Sequence, residues 1–228
     1  MIYLLSALCL FIMSVFIYFE KKEKYTLAVV LKGLASLMFV LLGFWCAKRT
    51  GNNDFSKTVK VGLILGLVAD ILLNLRFVFK EKGKIVFLVG ILVFLSGHIV
   101  YLCALVPTVN NVVIPTVIGV ILTAITIKWI FTQIEAAKAF KIFGIFYIGA
   151  IVIMNCFAIA NLLNDPSNTR YMIFVAGAIL FLISDIVLIL NTFGKTSKFS
   201  LRVTNLSLYY VGQLLIALSM FYPILSVE

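Results

Sequence analysis

Long apolar stretches follow one another along the whole chain and are separated by short polar segments. Each has about the 20 residues that a helix needs to cross the hydrocarbon core of a bilayer. Their apolar character is continuous, whereas a strand of an outer-membrane barrel would alternate lipid-facing and lumen-facing residues. We therefore predict eight transmembrane helices, at residues 1–19, 25–47, 58–79, 84–106, 109–130, 139–163, 170–193 and 203–225.

Composition supports this pattern, because 63% of the residues are hydrophobic and only 12% are charged. Soluble domains are roughly half apolar. The connections between the apolar stretches are too short for a separate soluble domain. The sequence thus predicts an all-α membrane protein in which residues 1–228 form a single transmembrane domain.

Two acidic residues interrupt the apolar stretches. Asp70 lies in "LGLVADILLNL" and Asp185 lies in "LFLISDIVLIL", and the two positions are 115 residues apart. The same offset places Gly97 on Gly212 and His98 on Gln213. We predict two parallel four-helix repeats, about 1–108 and 109–228, related by an axis along the bilayer normal. The alternative is a chance similarity between two spans rich in leucine and isoleucine.

Basic residues predict the orientation of the chain in the membrane. One set of connections and flanks holds thirteen cations and the opposite set holds five. By the positive-inside rule, the richer side is cytoplasmic, so both termini lie outside the cytoplasm. The thirteen are Lys21, Lys22, Lys24, Arg76, Lys80, Lys82, Lys84, Lys128, Lys138, Lys141, Lys195, Lys198 and Arg202. We expect a bacterial cytoplasmic membrane, and we interpret the net charge of +10 as a topology signal without nucleic-acid binding.

Three ionisable side chains fall at a similar depth in the predicted bundle. At about 1.5 Å per residue, Lys32, Asp70 and Asp185 lie about 10 to 14 Å from the cytoplasmic ends of their helices, and His98 lies about 21 Å in. Such residues are costly in a bilayer and usually face a bundle interior and mark function. The alternative is a buried ion pair that only fixes helix packing.

Several classes of chemistry have no support in the sequence. There is a single histidine, and no GxSxG, HExxH, P-loop or GxGxxG motif occurs. A carboxylate-only metal site at Asp70 and Asp185 stays open, but catalytic zinc usually has three protein ligands that include histidine. We predict no metal and no cofactor.

Five motifs in order make the sequence resemble the YhhN-type lysoplasmalogenases, a family of membrane proteins with eight spans. They are Lys32 in the second span, "GLVADILL" in the third, "SGHIVYL" in the fourth, "GAILFLISDIVLILNTF" in the seventh and "YYVGQLLIALS" in the eighth. The chain departs from the family pattern at Gly33, where proline is usual, and at Gly66 and Ala69, where a serine and a glycine are usual.

The resemblance implies hydrolysis of the vinyl-ether bond of lysoplasmalogens to a fatty aldehyde and a glycerophospho-alcohol. Such cleavage needs a proton donor and a carboxylate that stabilises positive charge. Two aspartates that lie close together in a low-dielectric cavity do not both ionise easily, so Asp70 and Asp185 are the predicted catalytic residues. The predicted partners are a lysophospholipid substrate and membrane lipids. The predicted substrate-binding residues are Lys32, Asn74, His98, Tyr101, Ser184, Tyr209 and Gln213.

Two other functions fit a bundle with buried acids. A proton-coupled transporter of small molecules or lipids also suits parallel repeats, although no two spans are visibly interrupted in the way that many carriers are. A lipid-binding or scaffold protein without catalysis would use Asp70 only for folding.

Overall fold

The computed structural model describes residues 1–222, and long α-helices make up most of them. No β-strand of more than an isolated bridge forms within this range. The all-α class is therefore confirmed. The helices are α1 (Ile2–Lys21), α2 (Tyr25–Arg49), α3 (Asp54–Leu75), α4 (Gly83–Leu105), α5 (Val113–Gln133), α6 (Lys138–Asn164), α7 (Thr169–Phe193) and α8 (Phe199–Ser219).

Helices α1 to α7 are long and apolar enough to cross a membrane. Helix α8 has 21 residues, a sufficient length, but within residues 1–222 it does not reach the same apolar character. The predicted eighth span runs to residue 225, and its last residues lie outside the described range. The structure thus has the composition and helix lengths of an integral multi-pass membrane protein.

Local capping moves two helix starts away from their predicted positions. Helix α3 begins at residue 54 instead of 58, because the side chain of Asn53 accepts a hydrogen bond from the backbone N–H of Ser56 at 2.9 Å. Helix α5 begins at 113 instead of 109, because Asn111 accepts from the backbone N–H groups of Val113 and Ile114. The length of an apolar stretch alone does not predict a helix start that lies at polar residues.

Six helices form a closed sequence of packed neighbours. Helix α2 packs on α3, α3 on α4, α4 on α6, α6 on α7, α7 on α8, and α8 again on α2. Helix α1 packs outside this ring on α2 and α8, and α5 packs mainly on α6. Each half of the chain therefore contributes three helices to the ring, and the buried polar side chains face its interior.

Glycines allow the closest helix crossings in the ring. A Cβ atom at Gly177 of α7 would lie 2.8 Å from the carbonyl oxygen of Gly212 of α8, so only glycine fits this contact. In the other half, a Cβ atom at Gly97 of α4 would lie 3.7 Å from the carbonyl oxygen of Gly62 of α3. The two pairs occupy equivalent positions at the offset of 115 residues.

Candidate functional site

Asp70 is the centre of a saturated polar cluster between α2, α3 and α8. Its Oδ1 lies 3.1 Å from Lys32 Nζ, and its Oδ2 accepts hydrogen bonds from Ser36 Oγ and from Tyr209 OH, both at 2.6 Å. Lys32 and Ser36 are four residues apart on α2, so they share a face and reach the same carboxylate. Only 2% of Lys32 and 1% of Asp70 is exposed. Both carboxylate oxygens therefore have partners, and Lys32 is not available to a lipid phosphate.

A chain of hydrogen bonds extends from this cluster across α8 to α4. Gln213 Nε2 donates to Tyr209 OH at 3.4 Å, and Tyr101 OH donates to Gln213 Oε1 at 2.9 Å. Three of the predicted substrate-binding residues are thus connected to Asp70.

Asp185 lies in a second centre, where few polar partners are present. Its Oδ2 is 3.3 Å from His98 Nε2, and 2% of Asp185 and 1% of His98 is exposed. Within residues 1–222, neither ring nitrogen of His98 nor this carboxylate oxygen makes a regular hydrogen bond. The rings of Phe181 and Tyr147 pack against the imidazole, with centroid distances of 4.7 and 5.2 Å. The pair is buried and close together, and the hydroxyl of Tyr147 is a further polar neighbour of Asp185.

An aromatic layer separates the two centres. The ring of Phe181 lies 5.1 Å from that of Tyr209, and the ring of Phe94 lies 5.6 Å from Tyr209 and 5.9 Å from Phe181. Tyr209 touches Asp70 on one side of the layer, and Phe181 touches His98 on the other. The two carboxyls share the bundle interior but do not hydrogen-bond to each other, and we describe them as two centres.

Two predicted substrate-binding residues take part in contacts elsewhere. Asn74 shares a face with Asp70, but its Nδ2 donates to Glu20 Oε2 at 2.9 Å, and its Oδ1 accepts from Arg202 at 3.2 Å. Ser184 directly precedes Asp185, but its Oγ and its carbonyl oxygen accept from Asn205 Nδ2, both at 2.9 Å. Both residues are buried, and their polar groups bind neighbouring helices instead of facing Asp70 or Asp185.

An apolar cavity approaches the second centre from the side of α4 to α7. It is narrow, with a volume of about 50 Å³, and Phe94 and Tyr147 form part of its wall. Because both rings also pack on His98, they separate the cavity from the His98–Asp185 pair. In residues 1–222, no three histidine, cysteine, aspartate or glutamate side chains are placed to hold a metal ion together.

Some residues of the site were missed at the level of sequence. Ser36 lies four residues after Lys32, so the sequence shows that the two share a helix face. Only the structure shows that Ser36 donates a hydrogen bond to Asp70. Tyr147 stands 115 residues after Lys32, so the repeat offset was the signal that could have found it. Glu20 and Arg202 lie at predicted helix ends, where charges usually mark solvated loops, and no sequence signal indicates their pairing.

Long apolar helices around buried acids define the class of this protein, an α-helical multi-pass membrane protein. Residues 27–220 match the model of the YhhN family, and the chain belongs to that family. Searches of curated proteins and of solved structures found no match to the chain. The resemblance seen in the five motifs is thereby confirmed at the level of the family.

Proposed function

We propose that the protein is a membrane lysoplasmalogenase, which hydrolyses the vinyl-ether bond of alkenyl lysophospholipids to a fatty aldehyde and a glycerophospho-alcohol. Membership of the YhhN family supports this hydrolase activity. The observation that carries the proposal is the buried pair of His98 and Asp185, whose facing atoms make no regular hydrogen bond and which lies beside an apolar cavity. Such a pair can hold one exchangeable proton.

In this mechanism the His98–Asp185 pair donates its proton to the β-carbon of the vinyl ether. The electrons of the carbon–carbon double bond form the new C–H bond, and an oxocarbenium ion remains at the carbon attached to oxygen. The carboxylate left on Asp185 stabilises this positive charge. Water then adds to the same carbon and returns a proton to the pair. The hemiacetal breaks its C–O bond, with a proton transferred to the leaving oxygen, and yields aldehyde and alcohol.

Asp70 has a different role in this proposal. Its two oxygens are engaged by Lys32, Ser36 and Tyr209, which hold it in place between α2 and α8. We propose that Asp70 is a positioning residue, which holds Tyr209 and with it the aromatic layer against His98. Tyr209, Gln213 and Tyr101 then orient the substrate beside His98.

The apolar cavity would hold the hydrocarbon chain of the lysolipid. The chain enters sideways between helices, because a membrane lipid reaches the bundle from the bilayer. Phe94 and Tyr147 stand between this cavity and His98, so the reaction requires these two rings to move aside.

We further propose that α8 crosses the membrane as an eighth span and that both termini lie outside the cytoplasm of a bacterial cell. The charge asymmetry of thirteen cations against five supports the orientation. The close packing of α8 on α7 and its return to α2 support the eighth span.

We also propose that the two halves are parallel repeats. The crossing at Gly62 and Gly97 has its counterpart at Gly177 and Gly212. In addition, α4 of the first half packs on α6 of the second, as α8 packs on α2. Both relations are those expected from an offset of 115 residues.

An assay with purified protein in detergent tests the activity. We expect aldehyde release from alkenyl-lysophosphoethanolamine and none from the matching ester lysolipid. No proton gradient exists in detergent, so turnover there would exclude a strict proton-coupled transporter. Release at the rate of a denatured sample would contradict the proposal and favour a transporter or a scaffold.

A further inference from the structure

A second cavity opens at the predicted cytoplasmic end of the bundle. It has a volume of about 580 Å³ and lies between the turn from α1 to α2, the end of α3 and the connection from α7 to α8. Four cationic side chains line it, namely Lys21, Arg76, Lys198 and Arg202, together with the two carboxylates Glu20 and Glu23. We call it the basic cavity.

The charges of the basic cavity are not balanced among themselves. Arg202 holds Glu20 through two hydrogen bonds of 2.8 and 3.0 Å, so this carboxylate is already engaged. The guanidinium of Arg76 stacks on the rings of Phe77 and Phe87, at 4.6 and 4.4 Å from the ring centroids. Its Nε is buried, and within residues 1–222 it has no hydrogen-bond partner. Arg76 nevertheless lines the cavity, and a guanidinium binds phosphate oxygens through charge-assisted hydrogen bonds.

The basic cavity adjoins the apolar cavity. Leu188 and Thr192 line both, and Asp185, Leu188 and Thr192 share one face of α7 at spacings of three and seven residues. Leu188 is about 4.5 Å along the helix axis from Asp185. In addition, Phe87, which stacks on Arg76, lines the apolar cavity. A ligand with a charged head and an apolar tail therefore meets a continuous wall.

We propose that the basic cavity binds the phosphate of the lysolipid head group, with Arg76 as the main contact and Lys198 and Arg202 beside it. This proposal rests on the proposed function for the identity of the lipid. Because only a short glycerol unit joins the phosphate to the vinyl ether, a phosphate anchored here brings the reacting bond toward Asp185. The alternative source of the same chemistry is a free phosphate compound from the cytoplasm.

The test compares two vinyl ethers that differ only in the phosphate. Alkenyl-lysophosphoethanolamine carries it, and 1-alkenylglycerol lacks it. For Arg76→Gln we expect a KM about tenfold higher with the first substrate, because one hydrogen bond to a charged group is lost. The KM with the second substrate should not change. Lys198→Gln, at an exposed position, should show the same selectivity to a smaller extent. Lys82→Gln, an exposed cation at the same end but outside the cavity, is the matched control and should behave as wild type. An equal effect on both substrates, or none on either, would overturn the proposal.

A binding measurement separates this proposal from the proposed function. A lysophospholipid with a saturated ether cannot react, and we expect Arg76→Gln to weaken its binding about tenfold. If wild type releases no aldehyde but binds this lipid through Arg76, the function fails and the head-group site stands. If aldehyde is released and the Arg76 variant binds as wild type does, only the head-group site fails. Tight binding of free glycerophosphoethanolamine or inorganic phosphate, with no competition from the saturated lipid, would also refute a lipid site.

Discussion

The two buried aspartates have opposite surroundings although they lie in similar sequences. Asp70 has an ion pair with Lys32 and two short hydrogen bonds, from Ser36 and Tyr209. Asp185 has His98 at 3.3 Å and the hydroxyl of Tyr147 beside it, and its Oδ2 makes no regular hydrogen bond in the described residues. A carboxylate that contacts three side chains from two other helices is suited to holding helices together, whereas one with fewer partners is suited to exchanging a proton.

Depth in the membrane therefore does not by itself identify a catalytic acid. Both aspartates meet the same criterion of a costly group inside a bundle. The two aspartates differ in their partners: Asp70 is paired with Lys32, and Asp185 lies beside His98. Removing the partner of a buried charge is strongly destabilising. The same substitution at the two positions should therefore affect different properties of the protein.

The largest effect is expected for Asp70→Asn, on stability. The substitution leaves Lys32 buried without its counter-charge, and breaking a buried pair in this way costs about 3 to 5 kcal/mol. Unfolding in detergent, followed by circular dichroism, measures the loss. Adding Lys32→Met to Asp70→Asn should recover part of it. A loss no greater than that of Asp185→Asn would remove the distinction between the centres.

Asp185→Asn should have its main effect on turnover. Asparagine keeps the shape of the side chain but cannot donate the acidic proton, so aldehyde release per folded protein should fall by at least about 10²-fold. Stability should fall less than for Asp70→Asn, because this substitution leaves no buried lysine without its counter-charge. Size-exclusion chromatography provides the control for folding. Near-normal turnover would transfer the acid role to another residue and contradict the mechanism.

Tyr209→Phe tests the link between the Asp70 centre and the aromatic layer. It removes one hydrogen bond to a charged acceptor, which is worth about 1.5 to 3 kcal/mol of stability. The matched variant is Tyr147→Phe, whose ring lines the second centre. We expect it to cost less, because the hydroxyl of Tyr209 makes a hydrogen bond of 2.6 Å to Asp70, whereas that of Tyr147 makes no comparably short hydrogen bond to Asp185. Equal losses from the two variants would argue that both centres are structural.

The smallest effect is expected for Ser184→Ala. Ser184 neighbours Asp185 in sequence, but its hydroxyl binds Asn205, so the variant should lose about 0.5 to 1.5 kcal/mol of stability and keep its turnover. Parallel measurements of thermal unfolding and aldehyde release check this. A fall in turnover comparable with that of Asp185→Asn would return Ser184 to the site.

Much of the candidate site could be predicted because depth is a local property. The positions of Lys32, Asp70 and Asp185 along their helices follow from counting residues from the polar flanks. Face-sharing within one helix also follows, as for Tyr209 and Gln213. Contacts between helices do not follow, because they depend on how each helix is rotated. Asn74 illustrates this, since it shares a face with Asp70 and yet binds Glu20 and Arg202.

The helical class, the approximate spans, the acids within them and the family could all be predicted from the sequence. Each depends on the order of apolar, charged and motif residues along the chain, which needs no knowledge of tertiary contacts. Only the tertiary structure decided which acid is saturated and which is not. Tyr209 reaches Asp70 across 139 positions of sequence, and His98 reaches Asp185 from the other half of the chain. These pairings depend on how the packed helices are rotated and how closely they approach each other. Contacts between helices, such as the crossing at Gly177 and Gly212, determine both, and local sequence does not show them.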